Sequence, residues 1–90
     1  MVAEELREWE QAKAYYQKAL DIKIEYSDRY NQASTYHALG LLAEAQEDYA
    51  EARANLQIAL GIYIEFQDEY RASVAREALE QLPDDSGNQD

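Results

Sequence analysis

The sequence predicts an all-α chain, antiparallel helix–turn–helix units stacked as a short solenoid. Three observations carry this reading. The chain resembles itself when shifted by 40 residues. Apolar residues recur at the three- and four-residue spacing of a helix face. Short polar breaks, Ser27-Asp28 and Gln67-Asp68, stand at matching places in the two copies.

The repeat is dense. Under the shift, Ala12 falls on Ala52, Gln17 on Gln57, Ala19-Leu20 on Ala59-Leu60, Ile24-Glu25 on Ile64-Glu65, Asp28 on Asp68, Tyr30 on Tyr70 and Ala38-Leu39 on Ala78-Leu79. Roughly fifteen of some forty aligned positions are identical, at one fixed offset from Ala3/Ala43 to Leu42/Leu82, which is the mark of a stacked array.

In chain order, residues 2–7 align with the end of a first helix whose opening turns are missing, so the array is expected to begin mid-repeat. Residues 9–26 form a long helix with Trp9, Ala12, Tyr16, Ala19, Leu20 and Ile24 at helical spacing. Residues 2–7 either fold back on that helix or continue it. Nothing at Arg7-Glu8 forces a break, and arginine is a good helix former, so continuation is favoured. Ser27 or Asp28 caps the next helix, 29–46. Asp48 and Glu51 open a third, 49–66, as a near capping box. Gly61 lies inside it and costs about 1 kcal/mol against alanine. A last helix, 69–82, is stopped by Pro83, and 83–90 is a polar tail expected to be disordered. The chain thus divides into a domain over 1–82, with a partial repeat 2–28, a full repeat 29–68 and a capping helix 69–82. In that cap Tyr36 and Gly40 become Arg76 and Glu80. Charges there resist burial and suit a solvated end.

The series Tyr36-x-x-Leu39-Gly40-x-x-Ala43, then Ala52-x-x-x-Leu56-x-x-Ala59, resembles the tetratricopeptide repeat (TPR). Ala12-x-x-x-Tyr16-x-x-Ala19 resembles the second-helix half of the same unit. Small residues stand where helices approach closely, and Tyr36, Leu39 and Leu56 fill the gaps between them. The resemblance covers residues 2–82. The usual proline after the second helix is missing, and the unit is longer than the usual ~34 residues. It is similar to the long repeats of large bacterial multi-repeat proteins, which implies the C-terminal fragment of an array.

Composition narrows the function classes. The 90 residues suffice for one small domain. A net charge of −11 repels nucleic acid and anionic membrane and favours basic partners. The absence of cysteine removes disulfides and thiol chemistry and fits the cytoplasm. The start is acidic, unlike a signal peptide, and no apolar run approaches a membrane span.

No constellation points to catalysis. His37 is the single histidine, and with no cysteine beside it a structural zinc site is not expected. The carboxylates Glu4-Glu5, Glu44, Glu47-Asp48 and Glu51 read as a solvated face, since acid–base work needs a dry cleft. Ser34 near His37 is a helix neighbour, not part of a triad. The glycines Gly40, Gly61 and Gly87 are isolated, so no phosphate loop is present. No metal and no cofactor is expected. Of the eight tyrosines, Tyr16, Tyr26, Tyr36 and Tyr49 fall on predicted buried stripes, while Tyr15, Tyr30, Tyr63 and Tyr70 are less determined.

Two non-enzymatic functions follow. The resemblance implies a concave groove lined by the first helices of each unit. Glu4, Glu5, Ser34, His37, Leu41, Glu44, Ala45, Glu77 and Gln81 are the candidate partner-binding residues, an acidic set that suits a basic or amphipathic peptide. The Lys, Arg and Asn of the family's carboxylate clamp are absent at Ala38, Leu41 and Glu77. The alternative is self-association into a homodimer through the incomplete first repeat, with Val2, Leu6, Trp9, Tyr16 and Leu20 as the apolar patch.

Overall fold

The computed structural model describes the backbone of residues 2–83 and the side chains of residues 8–83. Four helices follow one another: α1 (Val2–Glu25), α2 (Arg29–Ala45), α3 (Tyr49–Glu65) and α4 (Glu69–Gln81). No strand occurs among the described residues. The bounds of α2, α3 and α4 fall within a residue of those the sequence predicts. Helix α1 runs unbroken through Arg7-Glu8, so residues 2–7 continue it rather than fold back.

The three turns share one construction. Ser27, Glu47 and Gln67 take the left-handed conformation, with φ of 56°, 65° and 59°. The backbone N–H of the next residue, an aspartate each time, then reaches back to close the helix. Asp28 donates to the Lys23 carbonyl at 2.8 Å, Asp48 to Ala43 at 2.9 Å and Asp68 to Tyr63 at 2.9 Å. The same aspartate opens the following helix. The Asp48 carboxylate accepts the Glu51 N–H at 3.3 Å, and that of Asp68 accepts the Arg71 N–H at 3.1 Å. Asp28 differs, because its carboxylate accepts the Asn31 side-chain amide at 2.8 Å instead. One aspartate therefore serves two helix ends, which permits such short connections and makes neighbouring helices antiparallel.

Helix α2 packs between α1 and α3, and α3 between α2 and α4. The Cα envelope, 36 × 33 × 18 Å, is two helices thick. Alanines make this closeness possible. Ala33, Ala59, Ala72 and Ala75 surround Ile62 and Tyr63 in one cluster, and Ala43 and Ala52 flank Leu56 and Leu82 in another. Gly40 marks a close approach of α2 to α3. A Cβ there would lie 2.7 Å from the Leu56 Cγ and 3.3 Å from the Ala52 carbonyl oxygen.

One tyrosine reverses the expectation, and one left open by the sequence is settled. Tyr26, placed on a buried stripe by its spacing, is 75% exposed. It follows the last residue of α1, where the chain is already turning and helical spacing no longer sets direction. Tyr63 is only 2% exposed and is the most buried tyrosine of the described chain. Tyr16, Tyr36 and Tyr49 are half-buried. Arg76 and Glu80 are exposed on α4.

Candidate interaction site

A cleft of about 430 Å³ opens between α2 and α4. Ser34, His37, Ala38 and Leu41 form the α2 wall, while Tyr70, Arg71 and Val74 form the α4 wall. Tyr63 of α3 closes the floor. Its ring meets Tyr30 edge to face at 6.1 Å, and Tyr30 in turn meets Phe66 at 5.4 Å. These contacts fix the floor in place.

Asp68 ties the walls together. Its carboxylate accepts the Tyr30 hydroxyl from α2, accepts the Arg71 backbone N–H from α4, and lies 3.5 Å from the Arg71 guanidinium. The Tyr30 hydroxyl, then the Arg71 N–H, hold the Asp68 carboxyl below its ordinary value, and the same bond raises the Tyr30 phenol. The Tyr63 hydroxyl and the neighbouring Tyr30 keep Arg71 firmly charged. His37 is pushed down by burial, so it is neutral at pH 7 and adds no charge to the cleft. The lining is mostly apolar, with one cation and no carboxylate. Among the described residues no group of histidine, cysteine or carboxylate side chains could hold a metal ion.

Four helices stacked through short turns are what the repeat pattern implied. A family model described as tetratricopeptide repeat matches residues 1–65. The chain belongs to the tetratricopeptide repeat family. TPR units generally mediate protein–protein interaction, bind proteins or peptides, and typically act as scaffolds rather than enzymes. No curated protein and no solved structure matches the chain. No helix of the described residues is long and apolar enough to cross a membrane.

Of the TPR groove residues read from sequence, the structure brings Ser34, His37 and Leu41 into the cleft. Glu44, Ala45, Glu77 and Gln81 do not line it. Glu44 is half-buried and the other three are exposed, nearer the C-terminal ends of α2 and α4. The side chains of Glu4 and Glu5 lie outside the described residues. Ala38, Tyr63, Tyr70, Arg71 and Val74 were not among the candidates. The 40-residue shift contains part of the missing signal, since Val74 aligns with Ser34 and Tyr70 with Tyr30. On α4 the cleft draws on residues aligned with 30–34, about one turn earlier than the aligned partners of His37 and Leu41.

The self-association set divides differently. Leu20 is 7% exposed and so is taken up inside the chain, and Trp9 and Tyr16 are half-buried. The described part of that apolar patch is therefore partly covered within the chain itself. The side chains of Val2 and Leu6 lie outside the described residues. Among the described residues, the large apolar side chains that α1 and its end expose are Tyr15, Ile22, Ile24 and Tyr26.

Proposed function

We propose that this TPR chain is a protein-interaction scaffold that receives a basic or amphipathic peptide segment along the α2/α4 cleft. The observation that supports the reading most directly is the cleft itself, a preformed apolar concavity in a surface of net charge −11. Apolar residues of the segment would enter beside Leu41 and Val74. Its basic residues would meet the surrounding carboxylates, with Glu44 and Glu77 next along the same helix faces. The acidic character thus belongs to the margins of the groove, whereas its floor is apolar. A chain so acidic does not suit nucleic acid, and its lack of cysteine agrees with a cytoplasmic setting.

Panning a random-peptide library on the purified chain tests this. Selected peptides should be enriched in basic and large apolar residues. Leu41→Asp or Val74→Asp should weaken their binding at least tenfold by placing a charge on the apolar wall, whereas Ile58→Asp on the exposed face of α3 should leave it unchanged. Binders indifferent to both cleft substitutions would overturn the proposal.

A further inference from the structure

We infer that the α2/α4 cleft is an anchor pocket for one aromatic side chain, followed by a basic residue about one helical turn further toward the C-terminal ends of α2 and α4. This inference rests on the scaffold reading and specifies the partner's chemistry.

The choice of an aromatic anchor comes from Arg71. A cation among apolar walls ordinarily invites a carboxylate, but the charge of Arg71 is already answered by Asp68 at 3.5 Å. A carboxylate-bearing partner would also face an overall charge of −11, with Glu44 and Glu77 about one turn further along α2 and α4. What Arg71 still offers is the flat face of its guanidinium, with its side chain 54% exposed. Such a face stacks on aromatic rings better than on aliphatic chains. Tyr70 stands beside it at the rim, 79% exposed. Covering Tyr70 would remove apolar surface from water, and its ring can meet a second ring edge-on. Below them the Tyr63 floor is held by Tyr30, so the pocket is shaped before a partner arrives.

The basic residue follows from charge and register. No carboxylate lines the cleft, so an ammonium group placed inside would lose its water without gaining a partner. Glu44 is three residues beyond Leu41 and Glu77 three beyond Val74, on continuing faces of α2 and α4. Both approach the ends of their helices, where the helix dipoles add further negative potential. A cation one turn beyond the anchor meets this field while remaining hydrated.

The test uses the full chain labelled with ¹⁵N and short end-blocked alanine–glutamine peptides as probes. The first peptide carries Trp and, one turn on, Lys. The second replaces Trp by Leu, and the third replaces Lys by Glu. The first should shift the amides of Leu41, Arg71 and Val74 and bind about fivefold tighter than the second. Arg71→Lys, which keeps the charge and loses the flat face, should erase that Trp-over-Leu preference. The third peptide should bind more weakly than the first, and the difference should shrink in the Glu44→Gln, Glu77→Gln double variant. A thermal melt of each variant confirms that it is folded. Equal binding of the Trp and Leu peptides at the cleft, or a preference that survives Arg71→Lys, overturns the anchor and leaves the scaffold reading standing. Shifts confined to other surfaces, or no binding by any probe, overturn the anchor. If library-selected peptides also ignore Leu41→Asp and Val74→Asp, the scaffold reading falls with it.

Discussion

Three aspartates, Asp28, Asp48 and Asp68, occupy equivalent turns but carry different loads. Asp28 bonds only the Asn31 side chain, Asp48 caps α3, and Asp68 caps α4 while holding Tyr30 and Arg71. Substitution by alanine should lower the melting temperature least at Asp28 and most at Asp68, with Asp48→Ala costing about 1 kcal/mol, the usual value of a helix cap. Asp68 also imposes a pH signature. Its folded pKa lies below the unfolded 3.8, so its contribution is complete above that pH and is lost as pH falls through the lower folded value. Tyr30 acts on the other limb. Its pKa is raised above 10.0, so its contribution is complete below pH 10.0 and is lost as pH rises through the folded value. Asp68→Asn should flatten both limbs of a melting-temperature profile, whereas Asp28→Asn should leave both in place. Sequence exposed part of this scale. The capping role of Asp48 follows from side-chain reach, whereas Asp28, expected as a possible cap, makes no side-chain cap bond and holds the Asn31 amide instead. The contact between Tyr30 and Asp68 spans 38 residues, so that no local pattern encodes it. Tyr63 continues the stripe Ala52, Leu56, Ala59 at helical spacing, yet its aligned partner is Lys23, so the repeat carries no signal for a buried role.

At the scale of the element, α2 and α3 each contain one glycine, and the two should respond oppositely to alanine. Gly61 has nothing within 4 Å of where a Cβ would sit. Gly61→Ala removes the helix penalty at no steric cost and should stabilise by about 1 kcal/mol, roughly 4–8 °C in a domain of this size. Gly40 lies against Leu56, which is fully buried, and against the Ala52 backbone. Gly40→Ala must push α2 from α3 and should destabilise by about 1–3 kcal/mol despite the better helix propensity. Thermal melts of the two variants check both signs. The close approach was legible because Gly40 and Ala52 are the small members of the repeat pattern. The break positions were legible for a different reason. None of the left-handed turn residues is glycine, so the aspartate one position later is the signal. At the corresponding place in α1 stands Glu8, a weaker cap than aspartate, and there the helix does not break.

For the whole molecule, the net charge of −11 bears oppositely on the two interactions considered for this chain. Capture of a basic segment is an attraction between unlike charges, so added salt weakens it. Pairing of two copies brings like charges together, so added salt strengthens it. The fold class was legible at this scale because a repeat writes its architecture twice. The interaction surface was less so, since the stagger of α4 against α2, which selects Tyr70, Arg71 and Val74, is set by packing in three dimensions. The same applies to α1, whose Leu20 is covered inside the chain while Tyr15 and Ile22 face outward. The expected outcome at low ionic strength is a monomer by sedimentation, together with the tightest binding of a library-selected basic peptide. Raising the salt should loosen the peptide several-fold, and Glu44→Lys or Glu77→Lys should do the same at fixed salt. A chain that dimerises most strongly at low salt, or a peptide whose affinity ignores both salt and the two lysine substitutions, would refute this assignment of the charge, because repulsion between copies and attraction for a cation arise from the same carboxylates.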